Sequence, residues 1–542
     1  MKITLIKPNI GRMEHSLYVD EGRMEPLQLG VIAGLTPPDV ECVLYDDRCE
    51  EIPYDEQTDL AAITVEIYNA RRAYEIAAEF RQRGVPVIMG GFHPTLAPEE
   101  CMEHADSIYI GDAEFLWHQV VDDARQRRLK RIYRARPGIP QPGGTQPRRD
   151  LFKGKGYLPI TLMQFTRGCR FACDFCAISV FFNRTNFVRQ THEVLAEIEN
   201  QDRKVVFFVD DNFLSNHEAA KLFLRELIPM RIKWVSQASI DMTNDPELMD
   251  LLEESGCLGN VIGFESLDPR NLKSMRKASN LTRRGWDRYR AQCEILRSHH
   301  LQNWASFTLG HDYDTVETIK ETLDFAMHYK FCFAAFNILM PYPATPLYDR
   351  LQRQGRLLWD GKWWLHPEYR FNHAAFQPRN MTPDELTEAC WHCRDHWNRP
   401  GSIWKRMWDF KTHLHSPTRL GVYLSYNPIY AKEAYKKQGM LFGLHRDSID
   451  TRNVSPLRKP FSTHEQRVQP PGADPVSRAT AAGARGGRPA GPEAARSYAL
   501  GRATASHRSA GTTVAAASNP RTSAGGSTAP SGRDGARGGG GN

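Results

Sequence analysis

Short apolar runs alternate with amphipathic helical stretches in two successive blocks of this chain, and that rhythm restricts it to α/β architectures built on parallel sheets. In the first block, residues 3–7, 40–45, 60–65, 85–89 and 107–110 read as strands short enough to be buried on both faces. Residues 70–83 place Ala73, Ile76, Ala77 and Phe80 at helical spacing and stop at Gly84, and residues 115–128 form a second amphipathic helix. Strand, helix, strand at this interval implies a doubly wound, Rossmann-like sheet, with ligands beyond the carboxyl ends of its strands. Those ends carry Pro8 and Asn9; Thr64, Val65 and Glu66; the turn Gly90, Gly91, Phe92, His93, Pro94; and the turn Gly111, Asp112, Ala113, Glu114. Paired glycines let a backbone approach a bulky ligand, and they also serve plain turns. Only Asn9, Ile10 and Gly11 follow the first strand, so the glycine fingerprint of a nicotinamide dinucleotide is missing.

Residues 131–150, rich in Pro, Gly and Arg, read as a linker. The second block has strands at 204–209, 233–239, 260–264, 304–310 and 334–340, separated by helices at 217–228, 246–255, 286–299 and 315–330. Repeated strand–helix units of this length predict a closed or partial barrel with its chemistry at the carboxyl ends of the strands. Each of these strands ends in polar or acidic residues or in a proline turn, among them Asp210, Asp211 and Asn212, then Glu265 and Ser266.

At the head of the second block stand three thiols, Cys169, Cys173 and Cys176, with Phe175 just before the last. Soft thiolates at this density select iron–sulfur or zinc over hard cations. A closed structural zinc site wants four ligands, and the next cysteine, Cys257, is about 80 residues away. A four-iron cluster on three cysteines keeps one iron open for a ligand. Three buried structural cysteines are the plain alternative, but Arg167, Arg170 and Asp174 beside them are unlike a core stripe.

At 542 residues the chain exceeds a single core, and its 41% hydrophobic and 25% charged composition is that of a globular protein. No apolar run approaches the ~18 residues of a membrane span, and the first residues are a strand rather than an export signal. With thiols in no framework spacing, a reducing cytoplasm is the expected compartment. The formal charge of +6 lies entirely after residue 460, where ten Arg face four acids, so no basic footprint for nucleic acid is spread over the rest. That stretch, 461–542, is Gly, Ala, Arg, Ser, Thr and Pro and reads as a disordered tail.

The cysteine spacing resembles the signature of radical S-adenosylmethionine enzymes. Residues 209–213 (Val-Asp-Asp-Asn-Phe), 262–266 (Ile-Gly-Phe-Glu-Ser) and 341–348 (Pro-Tyr-Pro-Ala-Thr-Pro-Leu-Tyr) look like the blocks of its cobalamin-binding subclass, in the expected order, with Ala344 where glycine is common. The resemblance implies a cobalamin-binding domain at 1–130, a radical S-adenosylmethionine partial barrel of (β/α)6 type at 151–350, and a helical C-terminal region at 351–460. It implies a [4Fe-4S] cluster on Cys169, Cys173 and Cys176, with Phe175 near the adenine. Asp211, Gln237, Glu265 and Ser266 become candidate polar contacts to S-adenosylmethionine. A helix cap or a solvated strand end is the plain reading of each acid. Thr64, Glu66, Gly90, Gly91, His93, Gly111 and Glu114 would line the corrin site. The Asp-x-His-x-x-Gly signature of a lower-face histidine is missing, so cobalamin without histidine ligation is implied.

Residues 351–442 hold Trp359, Trp363, Trp364, Trp391, Trp397, Trp404 and Trp408, more often packing than a flat substrate pocket. Cys390 and Cys393, one helical turn apart, read as packing too. Scattered Cys42, Cys49 and Cys101 argue against the methylthiotransferase branch, which carries a second cluster. The function implied is methyl transfer to an unactivated carbon, or phosphorus, of a small natural-product or pigment intermediate. An electron donor such as a flavodoxin or ferredoxin is implied with it. A cyclase or oxidase of the anaerobic tetrapyrrole type, and an iron–sulfur or cobalamin-binding regulator, are the alternatives. No sequence motif names the substrate or an acid–base residue.

Overall fold

Six parallel strands make the first sheet: β1 (Lys2–Lys7), β2 (Glu41–Asp46), β3 (Leu60–Thr64), β4 (Val87–Gly90), β5 (Ser107–Ile110) and β6 (Ile132–Arg134), in the order β2-β1-β3-β4-β5-β6. Every position of β3 is buried, as helices on both faces require. Those helices are α1 (Leu27–Leu35), α2 (Ala70–Gln82), α3 (Phe92–Leu96), α4 (Pro98–His104) and α5 (Trp117–Arg125). In α2 the spaced residues Ala73, Ile76, Ala77 and Phe80 are the buried ones. The strand order reverses between β1 and β3, and sheets of this kind take their ligands beyond the carboxyl ends of the strands. The computed structural model describes residues 1–12, 22–135, 146–201, 203, 205–280 and 286–444, all within one compact unit, Met1–Ala473. The tail expected at 461–542 and residues 136–145 of the expected linker lie outside the described residues.

The second sheet is also parallel and six-stranded: β7 (Thr161–Met163), then β10 (Val205–Phe208), β11 (Lys233–Ala238), β12 (Cys257–Glu265), β13 (Trp304–Leu309) and β14 (Phe333–Ile338), paired in that order with β7 and β14 at the edges. Helices α8 (His217–Leu227), α9 (Pro246–Glu254), α10 (Pro269–Ser274), α11 (Trp286–Ser298) and α12 (Val316–His328) connect its strands, which is a (β/α)6 partial barrel. Between β7 and β10 the chain makes an antiparallel pair, β8 (Thr166–Gly168) with β9 (Asn186–Val188), and the helices α6 (Ala177–Phe181) and α7 (Thr191–Glu199). After β14 come α13 (Pro346–Arg353), α14 (Pro383–Asn398), α15 (Pro400–Met407) and α16 (Pro417–Lys437). Helix α14 starts on a reciprocal cap between Thr382 and Glu385.

One apolar cluster runs from Ile63, Met89 and Ile108 of the first sheet into Phe208, Phe264, Phe307 and Phe336 of the second. Phe264, Phe307 and Phe336, on adjacent strands, stack with ring centroids 5.7 and 5.5 Å apart. Trp359, Trp363, Trp364 and Trp397 are core residues, whereas Trp404 and Trp408 are exposed. Cys390 and Cys393 are buried with their sulfurs on the Phe336 and Ile319 carbonyls.

Candidate functional site

The cysteine segment is pinned along its length by later parts of the chain. Asp210, just beyond the end of β10, accepts from the backbone N–H of Phe165 at 3.2 Å and from that of Thr166; Asp211 accepts from that of Gly168 at 2.8 Å. Gly168 has φ +81°, and a Cβ there would stand 2.2 Å from the Thr185 carbonyl, so the turn into Cys169 demands glycine. Asp174 donates its N–H to the Met275 carbonyl at 3.0 Å, accepts from the Leu347 N–H at 3.0 Å, and pairs its buried carboxylate with Arg350 at 2.5 Å. Cys169 receives the Asn212 amide at 3.5 Å.

All three cysteines are free thiols; Cys173 is buried and the other two half-buried. Burial pushes Cys173 up to about 12, opposed by the Lys277 charge, while Cys176 and Cys169 act on it as like charges. Burial raises Cys176 too, against the N–H groups of Ser179 and Ile178 at the start of α6 and against Lys277. Lys277 is held by Glu265 at 2.9 Å. Burial disfavours its charge, but Glu265, Cys173 and Cys176 outweigh that and raise its pKa. A permanent cation next to two thiols suits an anionic cluster and favours their deprotonation when metal binds. Among the described residues no three His, Cys, Asp or Glu surround a single metal ion. The three free thiols, two of them beside the Lys277 ammonium, would instead suit an anionic iron–sulfur cluster.

Glu265 ends β12 with φ +63°, after a register shift between Gly263 and Glu265. Its carboxylate folds back over Gly263, where a Cβ would lie 2.3 Å from Oε1. The other oxygen accepts from Thr308 at 3.2 Å, and Thr308 meets His311 Nε2 at 2.8 Å. Such backbone strain in a non-glycine residue persists only where its surroundings enforce it. His311, lowered to about 4 by burial, is neutral, and its ring lies 6.4 Å from that of Phe175. Ser266 is buried with Oγ taken by the Asp268 N–H and the Asn271 amide, so it builds the following turn. Gln237 is half-buried on β11 with its carbonyl on the Phe213 N–H.

A cavity of about 350 Å³ lies beyond the carboxyl ends of β3, β4 and β5. From the first sheet Thr64, Glu66, Gly90, Gly91, Gly111 and Glu114 line it; from the cysteine side come Gln164, Arg167, Phe181, Phe182 and Asp211. Gly91 has φ +109°, with a would-be Cβ 2.9 Å from the Val65 carbonyl, so the turn presents bare backbone to the cavity. That glycine-lined, largely apolar cleft beyond the strand ends fits the edge of a broad planar cofactor, and its donor set contains no histidine. His93 does not line it. The His93 ring is buried, with Nε2 3.0 Å from Glu100, whose carboxylate is held down to about 2: burial opposes this, and bonds from His93, Trp364 and Tyr74 outweigh it.

Arg167 joins the two halves: it reaches Glu114 at 2.5 Å, Asp112 at 3.4 Å and Gln164 at 2.7 Å. Burial raises Asp112 to about 6 against the pull of Arg167. A second cross-link is the 3.1 Å hydroxyl pair of Tyr68 and Tyr342; the Tyr342 phenol is raised chiefly by burial, and the charge of Cys176 also acts on it. Sequence reasoning did not assign roles to Arg167, Lys277 or this tyrosine pair. Arg167 adjoins the motif and could have been found there, while Lys277 and the tyrosines carry no local signal.

The radical S-adenosylmethionine superfamily model matches residues 163–326, which contain the cysteines and the ends of β10 to β13. The bacteriochlorophyllide d C-12(1)-methyltransferase of Chlorobaculum tepidum is 29% identical over 420 residues, covering 75% of this chain and 89% of that protein. Its C-8(2)-methyltransferase is 30% identical over 362 residues, covering 62% and 78%. Among solved structures, the radical S-adenosylmethionine methyltransferase TsrM from Kitasatospora setae, with cobalamin and a [4Fe-4S] cluster bound, shares the fold with a TM-score of 0.52 at 17% identity, over 65% of this chain and 78% of that one. The chain belongs to the cobalamin-dependent radical S-adenosylmethionine enzyme family, and it is a methyltransferase of that family.

Proposed function

We propose that this enzyme methylates an unactivated carbon of a flat, conjugated pigment or a related natural-product intermediate. The observation that carries it is a shared site: one cavity has the strand ends of the first sheet on one side and, on the other, Arg167, Phe181 and Phe182 around the cysteines with Asp211 beyond β10. The two Chlorobaculum relatives, both named as pigment methyltransferases, support methyl transfer over ring closure.

Cys169, Cys173 and Cys176 would hold the cluster, and the lining of the first-sheet cavity would hold cobalamin, so residues 1–130 and 151–350 act as cofactor domains. When bound, these groups and S-adenosylmethionine supply hydrogen-atom abstraction and a transferable methyl group. The protein's own contribution is placement. Glu265 and Lys277 form a fixed charge pair beside the thiols and would meet the hydroxyl or carboxylate of a ligand bound there. Arg167 sets the distance between the two cofactor regions by its grip on Asp112 and Glu114. Burial of the loop excludes water from the reacting face. Electrons would come from a small reducing protein such as a flavodoxin or ferredoxin, in the cytoplasm.

The test is anaerobic turnover of candidate tetrapyrroles with S-adenosylmethionine and reductant, read by mass spectrometry. A product heavier by one methyl group, with 5′-deoxyadenosine formed, supports the reading. An unmethylated, oxidised or cyclised product overturns it in favour of the cyclase type.

A further inference from the structure

We infer that the outward face of α15 and the turn after it is an attachment surface for an anionic lipid bilayer. Seven large hydrophobic side chains are exposed among the described residues, and three of them fall within this one stretch, Trp404 at 60%, Trp408 at 46% and Phe410 at 74%; a fourth, Leu424 at 50%, is on α16. Contiguous exposed apolar surface marks an interaction site, and scattered single residues do not. Trp404 and Trp408 are one helical turn apart, with ring centroids at 5.5 Å.

Their exposure is built in, because the inner face of the same segment is tightly anchored. Ile403 and Met407 pack with Tyr423 and Cys332. The Arg406 guanidinium lies 3.6 Å from the centroid of Trp397 and donates to its carbonyl at 2.7 Å. Asp409 is buried against Arg297 at 2.6 Å, and Lys330 donates to the Trp408 carbonyl at 2.5 Å. With Ile403, Arg406, Met407 and Asp409 fixed inward, the alternating residues Trp404, Lys405, Trp408, Phe410 and Lys411 stand in solvent.

Charge chooses the occupant. Arg406, Arg419 and Asp409 are buried. Of the cations left at the surface, Arg399 pairs with Asp395 and Lys411 with Glu294. Lys405 is exposed and the Lys330 ammonium sits on the Trp408 carbonyl, so the face keeps an excess of cations. A two-fold contact with a second copy would set Lys405 and Lys411 against the same cations. An anionic headgroup layer matches them, while tryptophan is the side chain that settles at the boundary between headgroups and acyl chains. Lysines on either side can extend to the headgroups as the rings sink. No helix among the described residues is long and apolar enough to cross a membrane, so attachment would be peripheral.

The face lies at the amino ends of the second-sheet strands: Arg419 donates to the Leu258 and Cys257 carbonyls, and His413 meets the Lys330 carbonyl. The cysteines lie at the carboxyl ends, so an attached enzyme keeps its cofactor cleft on the side away from the bilayer.

The test is flotation of the reconstituted full chain with phosphatidylcholine vesicles, with and without phosphatidylglycerol. Expected is binding that needs phosphatidylglycerol and weakens as salt rises, with the triple variant Trp404→Ser, Trp408→Ser, Phe410→Ser losing on the order of tenfold in partition. The double variant Lys405→Glu, Lys411→Glu should lose the phosphatidylglycerol dependence, and it decides the matter if the triple variant misfolds. Both variants should keep 5′-deoxyadenosine formation in detergent-free buffer. Three results would each overturn the inference: no wild-type binding at low salt, unchanged binding by the variants, or a wild-type dimer that the triple variant dissolves.

Discussion

Lys277 and the buried Glu265 pair at 2.9 Å beside two sulfurs, with little of either side chain left in solvent. Replacing Lys277 by Met leaves Glu265 without its cation, and breaking a buried pair costs about 3–5 kcal/mol. We expect a lower unfolding midpoint for Lys277→Met and, in reconstituted protein, a cluster that is harder to reduce, read by redox titration. Asp210 makes a prediction about pH. Burial lifts it from 3.8 to about 7, so the folded state holds its proton more tightly than the unfolded chain. Its contribution to stability is therefore full below about pH 4 and declines as pH rises to about 7. Denaturant titrations of Asp210→Asn should lack that decline, so the difference between variant and wild type grows between those pH values. The cysteines, Glu265 and the glycine turns were legible in the sequence because each has a fixed offset in a motif. Lys277 was not, since it reaches the thiols through a fold that brings the start of a loop 12 residues beyond Glu265 back over the strand end. His93 shared a motif with Gly90 and Gly91, yet its ring turns away to Glu100.

At the scale of elements, strands buried on both faces were visible as apolar runs, and helices as spaced ones. The edge strand β6 was not, because Ile132, Tyr133 and Arg134 are buried only at the middle residue and sit in an Arg-rich stretch. The β8–β9 pair also escaped, being too short for periodicity and fixed instead by Asp210, Asp211 and Gly168. Its dependence on glycine gives a test: Gly168→Ala should force the strands apart and abolish iron incorporation after reconstitution, while far-ultraviolet circular dichroism stays close to wild type. Arg350→Ala leaves Asp174 buried and unpaired and should cost about 3 kcal/mol, with faster loss of iron to a chelator.

Among the described residues, the two six-stranded parallel sheets share an apolar cluster, and a cavity lies at their carboxyl ends. The succession of two parallel sheets followed from strand–helix rhythm. Their juxtaposition did not, because it depends on Arg167, Tyr68 and Tyr342, contacts between residues far apart in the chain. Arg167→Met should therefore lower retained cobalamin while leaving iron content near wild type, measured by absorbance and metal analysis of the same sample.

The central claim is that Cys169, Cys173 and Cys176 together hold a cluster that cleaves S-adenosylmethionine. Formation of 5′-deoxyadenosine by the anaerobically reconstituted, chemically reduced full chain tests it most directly, in wild type and in the Cys169→Ala, Cys173→Ala and Cys176→Ala variants. The account predicts product from the wild type and none from any of the three; product from a variant, or none from an iron-replete wild type, would contradict it.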